Sequence, residues 1–108
     1  MFPQKESFKR LLWWLLAGTK GGRTRATIIA ALKEMPRNAN QLAGDLQLDY
    51  KTIRHHLEVL MKNGMVSPTG DGYGTTYFLS SELNENYQLF EQIWTEIGKN
   101  KKSMKGGM

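Results

Sequence analysis

Residues 50–55 carry side chains whose chemistry suits contact with nucleic acid. Tyr50, Lys51, Thr52, Arg54 and His55 can all donate hydrogen bonds, and two of them are permanently cationic. A guanidinium can donate two bonds to guanine O6 and N7, and a threonine can contact a base or a thymine methyl group. A solvated polar face is the plain alternative. The surrounding sequence favours DNA contact for Lys51 and Arg54 and leaves both interpretations open for Tyr50 and Thr52.

A helix-turn-helix over residues 38–60 is predicted to position these side chains. Asn38 followed by Gln41 is spaced as a capping box and starts the first helix. Asp49 is placed to cap a second helix over about residues 50–63. In a helix-turn-helix the second helix enters the DNA major groove, and its first residues reach the base edges.

The second helix has two distinct faces when it is drawn at the ordinary helical period. Ile53, Leu57 and Leu60 fall within one narrow sector, which we expect to be buried. The opposite sector is polar and contains Lys51, Arg54, His55, Glu58 and Lys62. The polar sector is therefore the predicted DNA-facing side.

A helix from about Arg23 to Lys33 is predicted before this motif, and a β-hairpin after it. Residues 65–67 and 75–79 read as strands, and the glycine-rich segment 68–74 joins them. A hairpin directly after a helix-turn-helix is a wing. Its tip contains Asp71 and no lysine or arginine.

Helices are also predicted at both ends, over residues 4–16 and 81–98. The first is apolar on nearly all sides, so we expect a second copy of the chain to cover it. The last carries a heptad-like aromatic stripe that suits either the chain's own core or a symmetry-related helix. The predicted dimer interface comprises Phe8, Leu11, Leu12, Trp13, Trp14, Leu15, Tyr87, Phe90, Trp94 and Ile97.

Charge is distributed unevenly along the chain. The formal net charge is +5, but residues 99–108 contain four lysines and no acid, which leaves 11 basic and 10 acidic residues elsewhere. Residues 5–25 form a second basic segment that includes Lys20, Arg23 and Arg25. A helix start favours phosphate oxygens, so Lys20, Arg23 and Arg25 are predicted phosphate contacts, with an ordinary exposed helix start as the alternative. Residues 99–108 are predicted to be a flexible tail.

Several other classes of protein are disfavoured. The apolar run 11–17 is too short to span a bilayer, which takes about 20 residues. The chain has no cysteine, so thiolate metal sites and disulfides are excluded. His55 and Glu58 could supply two metal ligands but have no third, and no catalytic constellation accompanies them. We therefore predict neither an enzyme, nor a metal site, nor a cofactor, in a cytoplasmic protein.

The order of these elements resembles that of ArsR-type winged-helix transcription regulators, most closely the small archaeal versions. The resemblance covers roughly residues 20–80. It rests on Gly22–Arg25, Asn40–Ala43, Leu48–Leu57 and Tyr73–Gly74 with Tyr77–Leu79. It implies DNA binding as a homodimer, with the first and last helices forming the interface. Metal-sensing members use cysteines, or histidine and acidic ligands on the last helix; residues 82–98 contain no histidine.

The sequence thus predicts a mainly α winged helix-turn-helix with a small β-hairpin and extra terminal helices. Residues 1–22 and 81–98 are assigned to dimerisation, 23–80 to DNA binding and 99–108 to the tail. The predicted function is sequence-specific binding of double-stranded DNA by a homodimeric transcription regulator. A winged-helix protein-interaction module is the alternative, and a membrane-surface protein anchored by residues 4–17 is a weaker third. No small-molecule effector is indicated.

Overall fold

The computed structural model describes residues 4–70 and 74–106, with side chains over 6–70 and 74–98. This part of the chain forms six α-helices, three short strands and one π-helical turn, Trp14–Gly18. In chain order the helices and strands are α1 (Gln4–Trp13), α2 (Gly22–Glu34), β1 (Arg37–Asn38), α3 (Ala39–Leu46), α4 (Tyr50–Lys62), β2 (Val66–Thr69), β3 (Thr76–Leu79), α5 (Ser81–Glu85) and α6 (Tyr87–Gly106).

The predicted hairpin is confirmed, and a third strand joins it. The antiparallel order is β1-β3-β2, with Arg37 opposite Tyr77 and Val66 opposite Leu79. Two-residue β1 is too short to show an alternating pattern, so it was missed from the sequence. The Arg37 guanidinium holds it in place, since Nη1 donates to the Ala31 carbonyl at 3.0 Å and Nε lies 3.2 Å from Asp45 Oδ2.

One continuous apolar core joins the winged helix-turn-helix to the terminal helices. Its largest fully buried members come from all six α-helices, from the π-helical turn and from the segment before β2. They are Leu12, Leu15, Ile28, Ile29, Leu42, Ile53, Leu57, Leu60, Met65, Leu83 and Phe90. The helix-turn-helix is therefore not an independent unit, because α1 and α6 share its core.

The junction between α1 and α2 is tightly packed. The predicted uniform first helix instead ends in the π-helical turn, and Gly21 then adopts a left-handed conformation with φ 86°. Gly22 is buried at the start of α2, where a Cβ atom would overlap the Leu16 carbonyl oxygen. Only glycine allows the two backbones to approach this closely.

The C-terminal region differs from its prediction at two points. The predicted single helix is interrupted at Asn86, whose backbone N–H donates to the carbonyls of Glu82 and Leu83 at 3.1 and 3.2 Å. Residues 99–106, which the sequence assigns to a flexible tail, continue α6. Residues 107–108 lie outside the described part. No helix in the described residues is both long and apolar enough to cross a membrane.

Candidate nucleic-acid interface

The first turn of α4 is fixed by its N-cap. Asp49 Oδ2 accepts hydrogen bonds from the backbone N–H groups of Lys51 and Thr52, at 3.0 and 3.4 Å. The cap uses amides that a phosphate would otherwise bind, and its negative charge opposes a phosphate at the same place. Contact with DNA at this helix start must therefore come from side chains rather than from the backbone.

The two predicted faces of α4 are confirmed. Ile53, Leu57 and Leu60 are completely buried. The other face is exposed over Tyr50, Lys51, Thr52, His55, Glu58 and Lys62, and Arg54 is partly exposed at its edge. The predicted DNA-facing side chains of α4 thus lie together on one accessible surface.

One ion pair lies within that surface. Arg54 Nη2 is 3.8 Å from Glu58 Oε2, one turn further along α4. Both side chains are exposed enough that the pair contributes little to stability. A long, solvated contact of this kind leaves Arg54 free to exchange Glu58 for a DNA acceptor.

The start of α2 lies against the middle of α4. At Gly21, a Cβ atom would come 2.5 Å from His56 Cε1, so backbone and imidazole are in direct contact. Lys20 and Arg23, on either side of this contact, are both exposed. The structure therefore places the segment that carries these two predicted phosphate contacts against α4 at His56.

Arg25 is not exposed as Lys20 and Arg23 are. The prediction that Arg25 contacts phosphate therefore needs correction. Its side chain is buried, with 4% exposure. Nε and Nη2 donate to the Leu15 carbonyl at 2.9 and 2.8 Å, and Nη2 also donates to the Lys20 carbonyl at 3.1 Å and to Thr19 Oγ1. The guanidinium is occupied inside the protein and faces no solvent.

His56 is the remaining partner of Arg25. Its Nδ1 lies 3.3 Å from Arg25 Nη1, and the residue is only 8% exposed. Burial, the Arg25 charge and His55 all lower the pKa of His56 below its ordinary value. A neutral imidazole that accepts at Nδ1 carries its proton on Nε2, which assigns the tautomer.

The contact between Arg25 and His56 is not predicted from the sequence, although the sequence contains a signal for it. Arg25 lies three, four and seven residues before the buried Ile28, Ile29 and Leu32. His56 falls in the same way within the stripe of Ile53, Leu57 and Leu60. A polar residue on an apolar stripe is an expected core residue, and each of these two supplies the other with a partner.

The wing offers little positive charge. The strands β2 and β3 contain no lysine or arginine, and Phe78 exposes 40% of its surface on β3. Residues 71–73, with the acidic tip that the sequence singled out, lie outside the described residues. The wing surface that is described is therefore polar and apolar rather than cationic.

The predicted dimer-forming residues separate into two groups. Phe8, Leu12, Leu15 and Phe90 are buried within the single chain, so the chain itself supplies the cover that was expected from a partner. Exposed or partly buried positions are Leu11, Trp13, Trp14, Tyr87, Trp94 and Ile97. Trp13 and Trp14 are 42% and 50% exposed, which is unusual for large aromatic side chains.

Within the described residues, no three or more histidine, cysteine, aspartate or glutamate side chains lie together so that they could hold a metal ion. His55 and Glu58 remain on the exposed face of α4. The exposed face of α4 thus presents mainly hydrogen-bond donors and cations.

Residues 22–67 match the model of the bacterial regulatory protein, arsR family. The match runs from the start of α2 into β2, and so contains the helix-turn-helix and the first two residues of the strand that follows it. No curated protein matches the sequence.

Three solved structures illustrate the likeness of the fold. The regulator BldR from Sulfolobus solfataricus has a TM-score of 0.66 and 16% identity, over 91% of this chain and 70% of that one. The homodimeric winged helix-turn-helix DNA-binding domain of Mb0332 from Mycobacterium bovis has a TM-score of 0.64 and 16% identity, over 92% and 89%. MarR from Staphylococcus aureus, in complex with salicylate and kanamycin, has a TM-score of 0.58 and 13% identity, over 79% of this chain.

The chain spans 57% of the length of that MarR protein. At these identities the likeness shows the fold alone. The fold is a winged helix-turn-helix with helices added at both ends, as the sequence predicts.

Proposed function

We propose that this protein is a transcription regulator that binds double-stranded DNA with α4 in the major groove. The observation that carries the proposal is the accessible polar face of α4, together with the exposed cations Lys20 and Arg23 at the start of α2. The match of residues 22–67 to a family of regulatory proteins supports it. A regulator of this kind acts in the compartment that contains the DNA, which we propose to be the cytoplasm. The closer likeness to small archaeal members stays a prediction.

In this proposal the contacts divide into two kinds. Lys20, Arg23 and Lys51 bind phosphate and set the position of the protein on the duplex, without reading sequence. Tyr50, Thr52, Arg54 and His55 lie where a recognition helix meets base edges. Specificity is thus assigned to α4, and much of the affinity to electrostatic contacts.

The protein is proposed to act as a homodimer. Trp13 and Trp14 place large apolar surfaces in solvent at the end of α1, and burial of such surface drives association. The related Mb0332 domain is homodimeric. Two copies related by a two-fold axis would present two α4 helices to half-sites about one helical turn apart.

Replacement of Arg54 tests the reading of bases. We expect Arg54→Ala to weaken binding to a preferred duplex by about 1–3 kcal/mol and to relax preference at one base position. The preferred duplex would first be selected by the wild-type protein from a random DNA pool. Fluorescence anisotropy with the selected and the unselected duplex measures both changes.

Two variants control this experiment. Arg54→Lys keeps the charge but removes the bidentate geometry, so it should retain affinity for random DNA and lose preference. Lys62→Ala lies at the other end of α4 and should leave preference unchanged. An equal loss by Arg54→Ala on selected and random duplexes would make Arg54 a phosphate contact instead.

A second candidate function is protein interaction without sequence-specific DNA binding. The exposed Phe78 on a wing without lysine or arginine favours it. Competition between random duplex and genomic fragments separates the two candidates. The alternative predicts no preference for any fragment at any salt concentration.

A further inference from the structure

A single buried guanidinium connects three parts of this molecule. Arg25 projects from the first turn of α2, and its N–H groups reach the Leu15 carbonyl, the Lys20 carbonyl and Thr19 Oγ1. On its other side, Nη1 lies 3.3 Å from His56 Nδ1 in α4. The π-helical turn after α1, the linker before α2 and the recognition helix thus meet at one side chain.

The charge of Arg25 has no acidic counterpart among the described residues. In the described part of the chain no carboxylate forms an ion pair with it. Arginine stays protonated in proteins, so the buried charge is stabilised only by carbonyl dipoles, one hydroxyl and the imidazole. Each of these acceptors must keep its position, because an unpaired N–H on a buried cation is costly.

The contacts of Arg25 constrain the orientation of α4 relative to the segments before α2. His56 lies between His55, on the predicted DNA face, and the buried Leu57. The imidazole also packs against Gly21, whose left-handed conformation closes the linker over it. A shift of α4 relative to α1 would therefore break the Arg25 contacts to His56 or to Leu15.

We propose that Arg25 is a positioning residue that fixes α4 against the end of α1 through neutral His56, so that both recognition helices of a dimer are held at one spacing. The inference rests on the proposed function, since it assigns Arg25 a role in DNA binding without contact to DNA.

A proton on His56 would act against this arrangement. The charged or titratable groups that face the imidazole are Arg25 from α2 and His55 from α4. A protonated imidazole cannot accept from Nη1 and would repel the guanidinium. Because the unfolded chain binds this proton more readily, stability and DNA binding should both fall as the pH decreases below about 6.5, the ordinary histidine value.

Arg25→Lys tests the positioning role in the full-length chain. One ammonium cannot reach both Leu15 and His56 in the geometry of a planar guanidinium. We expect binding to the duplex selected by the wild-type protein to weaken roughly tenfold, with the salt dependence of binding unchanged. Folding is followed by circular dichroism, and binding is measured where more than nine-tenths of the variant is folded.

His56→Asn supplies a conservative counterpart, and His55→Asn a matched control. Asparagine Oδ1 can take the place of Nδ1 as acceptor but does not titrate, so His56→Asn should retain wild-type affinity and lose the decline in acid. Because His55 lies on the predicted DNA face, His55→Asn is compared only for stability, and its loss of stability in acid should persist because His56 remains.

Each result has a defined meaning. A weaker salt dependence in Arg25→Lys would show a phosphate contact and overturn the inference. Unchanged affinity of the folded variant would reduce Arg25 to a purely structural role and also overturn it. If the variant is too unstable to measure, retention of the acid decline by His56→Asn overturns the inference, and its loss supports it. Failure of the wild-type protein to bind any duplex would contradict the proposed function itself.

Discussion

Raising the salt concentration from about 50 to 200 mM is expected to weaken DNA binding about 10³- to 10⁴-fold. Three or four phosphate contacts per protomer, from residues such as Lys20, Arg23 and Lys51, would give a dimer a slope of log affinity against log salt of roughly −5 to −7. Those side chains are exposed on α4 and at the start of α2, so each can displace a counterion from a DNA phosphate.

Fluorescence anisotropy over a salt series measures this slope directly. Lys51→Ala should make the slope of the dimer less steep by about 2, because one phosphate contact is lost in each protomer. Lys33→Ala is the matched control, since Lys33 donates to Asn84 Oδ1 at 3.2 Å on the α5 side of the molecule. An affinity independent of salt would contradict the electrostatic part of the account.

Gly22→Ala is expected to lower the free energy of unfolding by about 3 kcal/mol, at the upper end of the usual cost of overpacking. The added Cβ would overlap the Leu16 carbonyl oxygen, which is backbone and cannot rotate away. The same displacement would separate Leu15 from Arg25, so the substitution disturbs the packing of α1 as well as the buried network. Urea denaturation followed by circular dichroism gives the change.

Gly44→Ala is the matched control. Gly44 lies in α3, and a Cβ atom there would meet nothing within 4 Å. Since alanine is the better helix former, this variant should be as stable as the wild type, or more stable by up to about 1 kcal/mol. Equal stability of the Gly22 and Gly44 variants would contradict the close approach of the α1 and α2 segments.

The helix-turn-helix could be predicted from the sequence because its determinants are local. Asn38 and Gln41 form the predicted capping box, with bonds of 2.8 and 2.9 Å, and Asp49 caps α4. These signals lie within a few residues of the groups that they satisfy. The separation of buried and exposed faces in α4 likewise follows from helical period alone.

Features that depend on distant residues could not be predicted in the same way. The strand β1 exists because Arg37 and Asn38 pair with β3, almost 40 residues further along the chain. The prediction that Arg25 contacts phosphate rests on its positive charge alone. It does not take into account that Arg25 lies on the same buried stripe of α2 as its apolar neighbours. Its partner His56 is 31 residues away, and only the packing of α2 on α4 brings the two together.

The apolar composition of the terminal helices is not sufficient evidence that a second copy of the chain covers them. The sequence marks the first helix as too apolar for one covered side. In the structure α6 contacts α1, and α2 and α6 contact the π-helical turn, so the chain itself covers Phe8, Leu12 and Leu15. Trp13 and Trp14 remain exposed, which narrows the proposed dimer surface to the end of α1 and the partly buried residues of α6. Sedimentation of Trp14→Glu should show a shift from dimer to monomer without loss of helix content, because the substituted side chain is half in solvent and burial of a new charge in the interface is unfavourable.

Selection of bound sequences from a random DNA pool tests the central claim most directly, because it asks whether α4 reads bases at all. The account predicts enrichment of a palindromic sequence whose half-sites lie about 10–11 base pairs apart. It also predicts that the same selection with Arg54→Ala loses preference at one position in each half-site. A pool that remains unenriched after repeated rounds at every salt concentration would contradict the account.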